Sequence, residues 1–235
     1  MSFWIILICV IAVAVLLCFL LAVANYSGER FFDKYKEMND LYADCKLTPK
    51  EFIAFIHKKY LKKDLQLVYI SQAAADGYSK GKLYLSHDTA NKQSLASFTI
   101  ISHEMGHALQ DEEGNKIRRL TFLRRLGRVF GVILMPALIA GIILLFFDKL
   151  FFAGIALIAF AVFIFGLALV IKIMQISIEK DASKKAEMFL KDVLSEAQAK
   201  KCKKFLNDAR LTYWAEFLKI LLFWTGVSKK TKLFN

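Results

Sequence analysis

The chain has 235 residues, 57% of them hydrophobic, with only 2 Pro and 11 Gly, a composition that excludes a disordered chain, a collagen-like fibre and a low-complexity linker; its 4 cysteines are too few for a disulfide scaffold. A mean hydropathy of +0.42 beside 23% charged residues requires the apolar residues to be concentrated in blocks. Lys and Arg number 33 against 21 Asp and Glu, a balance of +12 that points to a polyanionic partner, either nucleic acid or an anionic membrane face.

The first block is Phe3–Ala24, which carries no charge and is long enough, at about 1.5 Å per residue, to cross a hydrocarbon core of about 30 Å. Ala22-Val23-Ala24 imitates a signal-peptide cleavage site. No basic residue precedes the run, however, and it is longer than a usual signal core, so the expectation is an uncleaved anchor.

Thr48-Pro49-Lys50-Glu51 predicts a helix start, with Thr48 as N-cap, Pro49 in the first turn and Glu51 closing a capping box. Phe52, Ile53, Phe55, Ile56 and Tyr60 form its apolar face, and His57 reads as a surface histidine. Leu65–Ser71 and Lys82–Ser86 are expected strands, with turn chemistry between them at Gly77, Ser79 and Gly81. Two strands beside helices suggest a small α+β unit, in which the edge of Lys82–Ser86 could receive an extended substrate. The polar stretch Ser86–Ser97, with His87, reads as a loop.

Ser97–Gln110 is the next predicted helix, and it contains His103-Glu104-Met105-Gly106-His107. A spacing of four puts both imidazoles on one helix face, one turn apart. Two neutral imidazoles so placed can bind one Zn²⁺, and in an HExxH arrangement the glutamate is the general base that deprotonates the attacking water. Gly106 would let another element approach this helix closely.

Val129–Phe147 and Leu150–Ile171 are two further uncharged runs separated by Asp148 and Lys149, which predicts a transmembrane hairpin with a tight turn. Leu211–Gly226 is apolar but carries Glu216 and Lys219; it suits an interfacial amphipathic helix or one docked on the hairpin. Basic residues collect after the first run (Arg30, Lys34, Lys36), before the second (Arg118, Arg119, Arg124, Arg125, Arg128) and after the third (Lys172, Lys180, Lys184, Lys185), whereas the hairpin turn has only Lys149. This asymmetry predicts a multi-pass cell-membrane protein with its N-terminus outside and residues 26–128 and 177–235 cytoplasmic. Cys45 and Cys202 then lie in a reducing compartment, without metal-ligand spacing.

The resulting division is an anchor at 1–25, a cytoplasmic α+β segment with the HExxH helix at 26–128, the hairpin at 129–176, and a cytoplasmic helical segment at 177–235. The fold class is mainly α: integral membrane helices with a small α+β, zincin-like cytoplasmic unit. Both cytoplasmic segments mix charges of the two signs, and no basic block interleaves with aromatics as a nucleic-acid groove requires. A basic face held against anionic lipid is the simpler account of the charge, with no nucleic-acid partner.

A catalytic zinc site needs a third protein ligand and an open position. His57 and His87 lie upstream. Downstream, Glu179 follows the third apolar run, which returns the chain to the face of the first helix; Glu179 is expected to begin the next helix.

In its order of features the chain resembles the YugP-like neutral zinc metallopeptidases of bacterial membranes. The resemblance covers an N-terminal anchor, a short mixed domain, HEMGHALQ at 103–110, a membrane hairpin and EKDAS at 179–183. Ala209-Arg210-Leu211-Thr212-Tyr213 is also similar to the family's closing stretch. More distantly, the chain resembles the Ste24/HtpX group of membrane HExxH peptidases. The family often has a D-x-Y-D-P segment where Asp76-Gly77-Tyr78-Ser79-Lys80 stands here, and a Thr-Leu-Pro stretch where Gln175-Ile176-Ser177-Ile178 stands.

This resemblance implies one Zn²⁺ per chain bound by His103, His107 and Glu179, with Glu104 as base, and a protein or peptide substrate, membrane proteins among the plausible targets. Tyr213, from its place in the closing stretch, is the candidate oxyanion partner and His87 the runner-up. Asp181 and Ser183 are both near enough in sequence to orient an imidazole. The expected function is a membrane-bound zinc endopeptidase. Its rivals are a zinc-containing membrane scaffold or chaperone cofactor without turnover, and a binder of lipid surfaces or nucleic acid driven by charge.

Overall fold

The computed structural model describes residues 3–71, 76–114 and 116–221, with backbone alone for 3–14, 216–221 and a few neighbouring positions. It is mainly helical with one small sheet: α1 (Phe3–Asp40), α2 (Pro49–Tyr60), β1 (Gln66–Ile70), β2 (Gly77–Ser79), β3 (Lys82–Ser86), α3 (His87–Asn91), α4 (Leu95–Glu113), α5 (Lys116–Leu144), α6 (Phe151–Lys191) and α7 (Glu196–Leu221).

The capping box of α2 forms as its sequence dictates. The Thr48 N–H donates to Glu51 Oε2 at 2.8 Å, and the Glu51 N–H donates to Thr48 Oγ1 at 3.3 Å. The sheet has the order β1-β3-β2, with β1 parallel and β2 antiparallel to β3. Lys80 (φ 49) and Gly81 (φ 76) carry the turn from β2 to β3. Two successive positive φ values match the twist of a tight hairpin, and glycine supplies one of them without strain.

Three expectations are corrected here. Lys82–Ser86 is the central strand, so it has no free edge for a substrate; the sheet edges are β1 and β2. The stretch 86–97 is not a loop: Ser86 caps α3, and Ser94 caps α4 by accepting the Ser97 N–H at 3.1 Å. Serines that read as loop residues are helix caps instead. Glu179 does not begin a new helix. It lies inside α6, which runs without a break from the hairpin turn to Lys191.

Helix α4 is the centre of the molecule. Every residue from Leu95 to Ala108 is buried, because α2, α3, the sheet, α6 and α7 all pack around it. Phe52 stacks on Phe98 at 4.8 Å between ring centroids, and Phe31 of α1 stacks on Phe205 of α7 at 5.2 Å. Ser102 and Thr99, buried on α4, return their hydroxyls to the carbonyls one turn back, so their burial leaves no donor unsatisfied.

Helices α5 and α6 form an antiparallel hairpin joined by a short 3-10 turn at Asp148–Leu150. Gly141 and Gly154 let the two backbones meet: a Cβ on Gly154 would stand 2.8 Å from the Gly141 carbonyl oxygen. Small residues at the contact are how apolar helices pack closely. Both helices are long and apolar enough to cross a membrane, and only 22% and 28% of their most apolar windows are buried within the chain. Most side chains of Phe3–Ala24 and the later part of Leu211–Gly226 lie outside the described residues.

The expected close approach at Gly106 is present. A Cβ there would stand 2.6 Å from the backbone oxygen of Ala182 on α6. Alanine in mid-helix is ordinarily favoured over glycine by about 1 kcal/mol. Here the sign should reverse: Gly106→Ala should cost about 1–3 kcal/mol by overpacking, read as a lower Tm. An unchanged or raised Tm would mean the helices can separate freely.

Candidate metal centre

His103 and His107 lie one turn apart on buried α4, and Glu179 reaches them from α6. The three side chains are all buried, and one ligand atom from each lies within 4.8 Å of the others. Glu179 Oε2 is 3.3 Å from Nε2 of His103 and 3.3 Å from Nε2 of His107. Two donors each about 2.0–2.1 Å from a tetrahedral ion stand about 3.3 Å apart. The two spacings from Glu179 match this value, all three donor atoms lie within 4.8 Å of one another, and the donor chemistry, two imidazole nitrogens and a carboxylate oxygen, suits zinc.

The hydrogen bonds behind the imidazoles support the same fit. Gln110 Nε2 donates at 2.8 Å both to the Ile178 carbonyl and to Asp181 Oδ2. Those two acceptors fix the orientation of the amide, so Gln110 Oε1, 2.9 Å from His107 Nδ1, is an acceptor. Neutral His107 then carries its proton on Nδ1 and presents the Nε2 lone pair toward Glu179. On the other imidazole, Ser183 Oγ donates to the Glu179 carbonyl at 3.0 Å and lies 3.5 Å from His103 Nδ1. The two candidates for orienting an imidazole thus serve different ones: Ser183 stands behind His103, and Asp181 acts on His107 through Gln110. Lys116 Nζ, 2.9 Å from Asp181 Oδ2, holds the far end of that chain.

Glu104 is buried beside the pair and lines a cavity of about 30 Å³ with Tyr78, His103, His107, Arg124 and Tyr213. Tyr213 from α7 donates its hydroxyl to Glu179 Oε2 at 3.1 Å. Arg124 from α5 donates to the other oxygen, Oε1, at 2.8 Å. Tyr78 of β2 donates to Asp111 Oδ2 at 2.9 Å; burial, then that carboxylate, pushes its phenol up to about 12, so it remains a donor at any physiological pH. His87 is exposed at the start of α3 and does not line the cavity. His57 stays outside too, its Nε2 3.0 Å from the Lys63 carbonyl.

Burial opposes a charge on Glu179, yet the histidines beside it, His107 foremost, and the Arg124 guanidinium hold its carboxyl well below the usual range. Burial likewise opposes a charge on His107, and Glu179 beside it wins, raising the imidazole pKa. The carboxylate is thus favoured in its ionised form, and His107 is the more readily protonated for standing beside it.

A family profile described as "Putative neutral zinc metallopeptidase" matches residues 6–226. The chain belongs to this family. No curated protein and no solved structure matches it. Membership in a zinc metallopeptidase family agrees with the His, His and Glu donor set.

Sequence reasoning missed Gln110, Arg124 and Tyr78 as parts of the site. Gln110 stands three residues after His107, a spacing that faces the same side of a helix, so its contact was legible in principle. Arg124 offered no signal beyond its charge.

Two outcomes follow from this geometry. Gln110→Leu should weaken zinc binding about 10–100-fold, measured by chelator competition; equal affinity would mean that His107 needs no orientation. Zinc affinity should also fall as pH drops through the raised pKa of His107, because only the deprotonated imidazole is a ligand. The loss should begin at higher pH than for an unperturbed histidine.

Proposed function

We propose that the protein is a membrane-bound zinc endopeptidase that cleaves protein segments at the cytoplasmic membrane surface. The observation that carries this reading is the cluster of three buried donor atoms within 4.8 Å of one another, with Glu104 in the same cavity. Zinc held by His103, His107 and Glu179 would supply Lewis acidity, making a water nucleophilic at neutral pH and polarising the scissile carbonyl.

The chain's own residues account for the remaining chemistry. Glu104 takes the proton from the attacking water and returns it to the amine nitrogen as the C–N bond breaks. Tyr213 is the donor to the oxyanion that develops on the carbonyl, its hydroxyl already lying 3.1 Å from Glu179 Oε2. The cavity of about 30 Å³ has room for a water beside Glu104.

Membrane placement is supported by the solvent-facing apolar side chains of the hairpin, among them Val132, Ile139, Phe152 and Phe163. Lys and Arg at the open ends of the hairpin favour a multi-pass protein with a cytoplasmic site and an external N-terminus. Glu179 lies eight residues beyond Ile171 on one continuous helix, about 12 Å past the end of the apolar run. That height is just beyond a headgroup zone about 5–7.5 Å deep, which suits juxtamembrane segments of membrane proteins as substrates.

Glu104→Gln should keep one zinc per chain and lower cleavage of an unfolded protein substrate about 10²–10⁴-fold. Glu179→Ala should lose the zinc. Cleavage undiminished in Glu104→Gln would remove the base from the mechanism. Zinc in the wild type without turnover on any protein would favour the scaffold reading.

A further inference from the structure

The two oxygens of Glu179 have different surroundings. Oε2 faces Nε2 of His103 and of His107 at 3.3 Å each and accepts from Tyr213 at 3.1 Å. Oε1 is turned the other way and accepts from Arg124 Nη2 at 2.8 Å. The Glu179 side chain is 3% exposed, whereas the Arg124 side chain, on a separate helix, is 38% exposed. The partner of Oε1 therefore comes from α5, outside the helix that carries Glu179, and lines the same cavity.

We propose that Arg124 is a positioning residue that reserves Oε1 and leaves Oε2 alone for the ion. The inference rests on the zinc reading and deepens it. A carboxylate free to rotate can bind one cation through both oxygens. With two histidines already in place, a second oxygen would compete with water for the position that a catalytic zinc keeps open. A guanidinium is well matched to this role, because it is permanently charged and its planar donors fix the carboxylate plane as well as its place. A lysine in its stead offers a point charge with no preferred plane. Arg124 also ties α5 to α6 at the metal centre, so the hairpin's packing sets the orientation of the ligand.

The test compares wild type, Arg124→Lys and Arg124→Ala as full-length zinc-loaded proteins in detergent. Zinc X-ray absorption reads the distance from the ion to the carboxylate carbon, and azide serves as a probe of the open position. In Arg124→Ala the carbon should move closer as both oxygens bind, and azide should bind about 10-fold more weakly or worse. Arg124→Lys should fall between the two. If Arg124→Ala does not fold, judged by its melting curve, Arg124→Met is measured in the same way. An unchanged carbon distance with unchanged azide affinity overturns the proposal. Absence of zinc from folded wild type overturns the zinc reading instead, a result distinct from the first.

Discussion

The α4 backbone meets the α6 backbone at Gly106 and Ala182, where a side chain on residue 106 would stand 2.6 Å from a carbonyl oxygen. Gly106 sits between the two histidines on α4, and Ala182 lies one turn beyond Glu179 on α6. The same contact therefore brings the carboxylate to 3.3 Å from both imidazoles. A wider crossing would move Glu179 away from the pair by the same amount. Backbone oxygen is a rigid neighbour, so a larger residue at 106 has no flexible atom to displace.

Burying Glu179, His103, His107 and Glu104 together is costly, since each polar group loses its water. The structure offsets this with opposing charges and directed donors. Arg124 and Tyr213 take opposite oxygens of Glu179, while Gln110 links His107 to Asp181 and Lys116. These partners come from α5, α6 and α7 as well as α4, so the centre exists only when all four helices are docked. Such a network orients ligands more than it adds stability.

The long reach of α6 couples two environments. One helix carries the apolar face of the hairpin at one end and Glu179 at the other, and α5 likewise runs from Arg124 into its apolar stretch. The Gly141–Gly154 contact and the cluster of His103, His107 and Glu179 are thus set by the same two long helices together with α4.

The sequence alone determined what local rules govern. The α2 capping box, the α4 helix with its one-turn histidine pair and the two apolar runs of the hairpin all follow from spacings within a few residues. It misread 86–97, because serines that cap helices look like loop residues, and it took a central strand for an edge, because strand order depends on pairing across sequence. The break it placed before Glu179 is also absent, since a change from apolar to polar side chains does not end a helix when no Gly or Pro interrupts it. Only the tertiary structure decided that Arg124 would hold Glu179, that Ser183 and Asp181 would stand behind different imidazoles, and that Tyr213 would enter the centre. Those contacts join residues 34 to 80 positions apart, and such pairings are set by how helix faces pack rather than by any pattern along the chain.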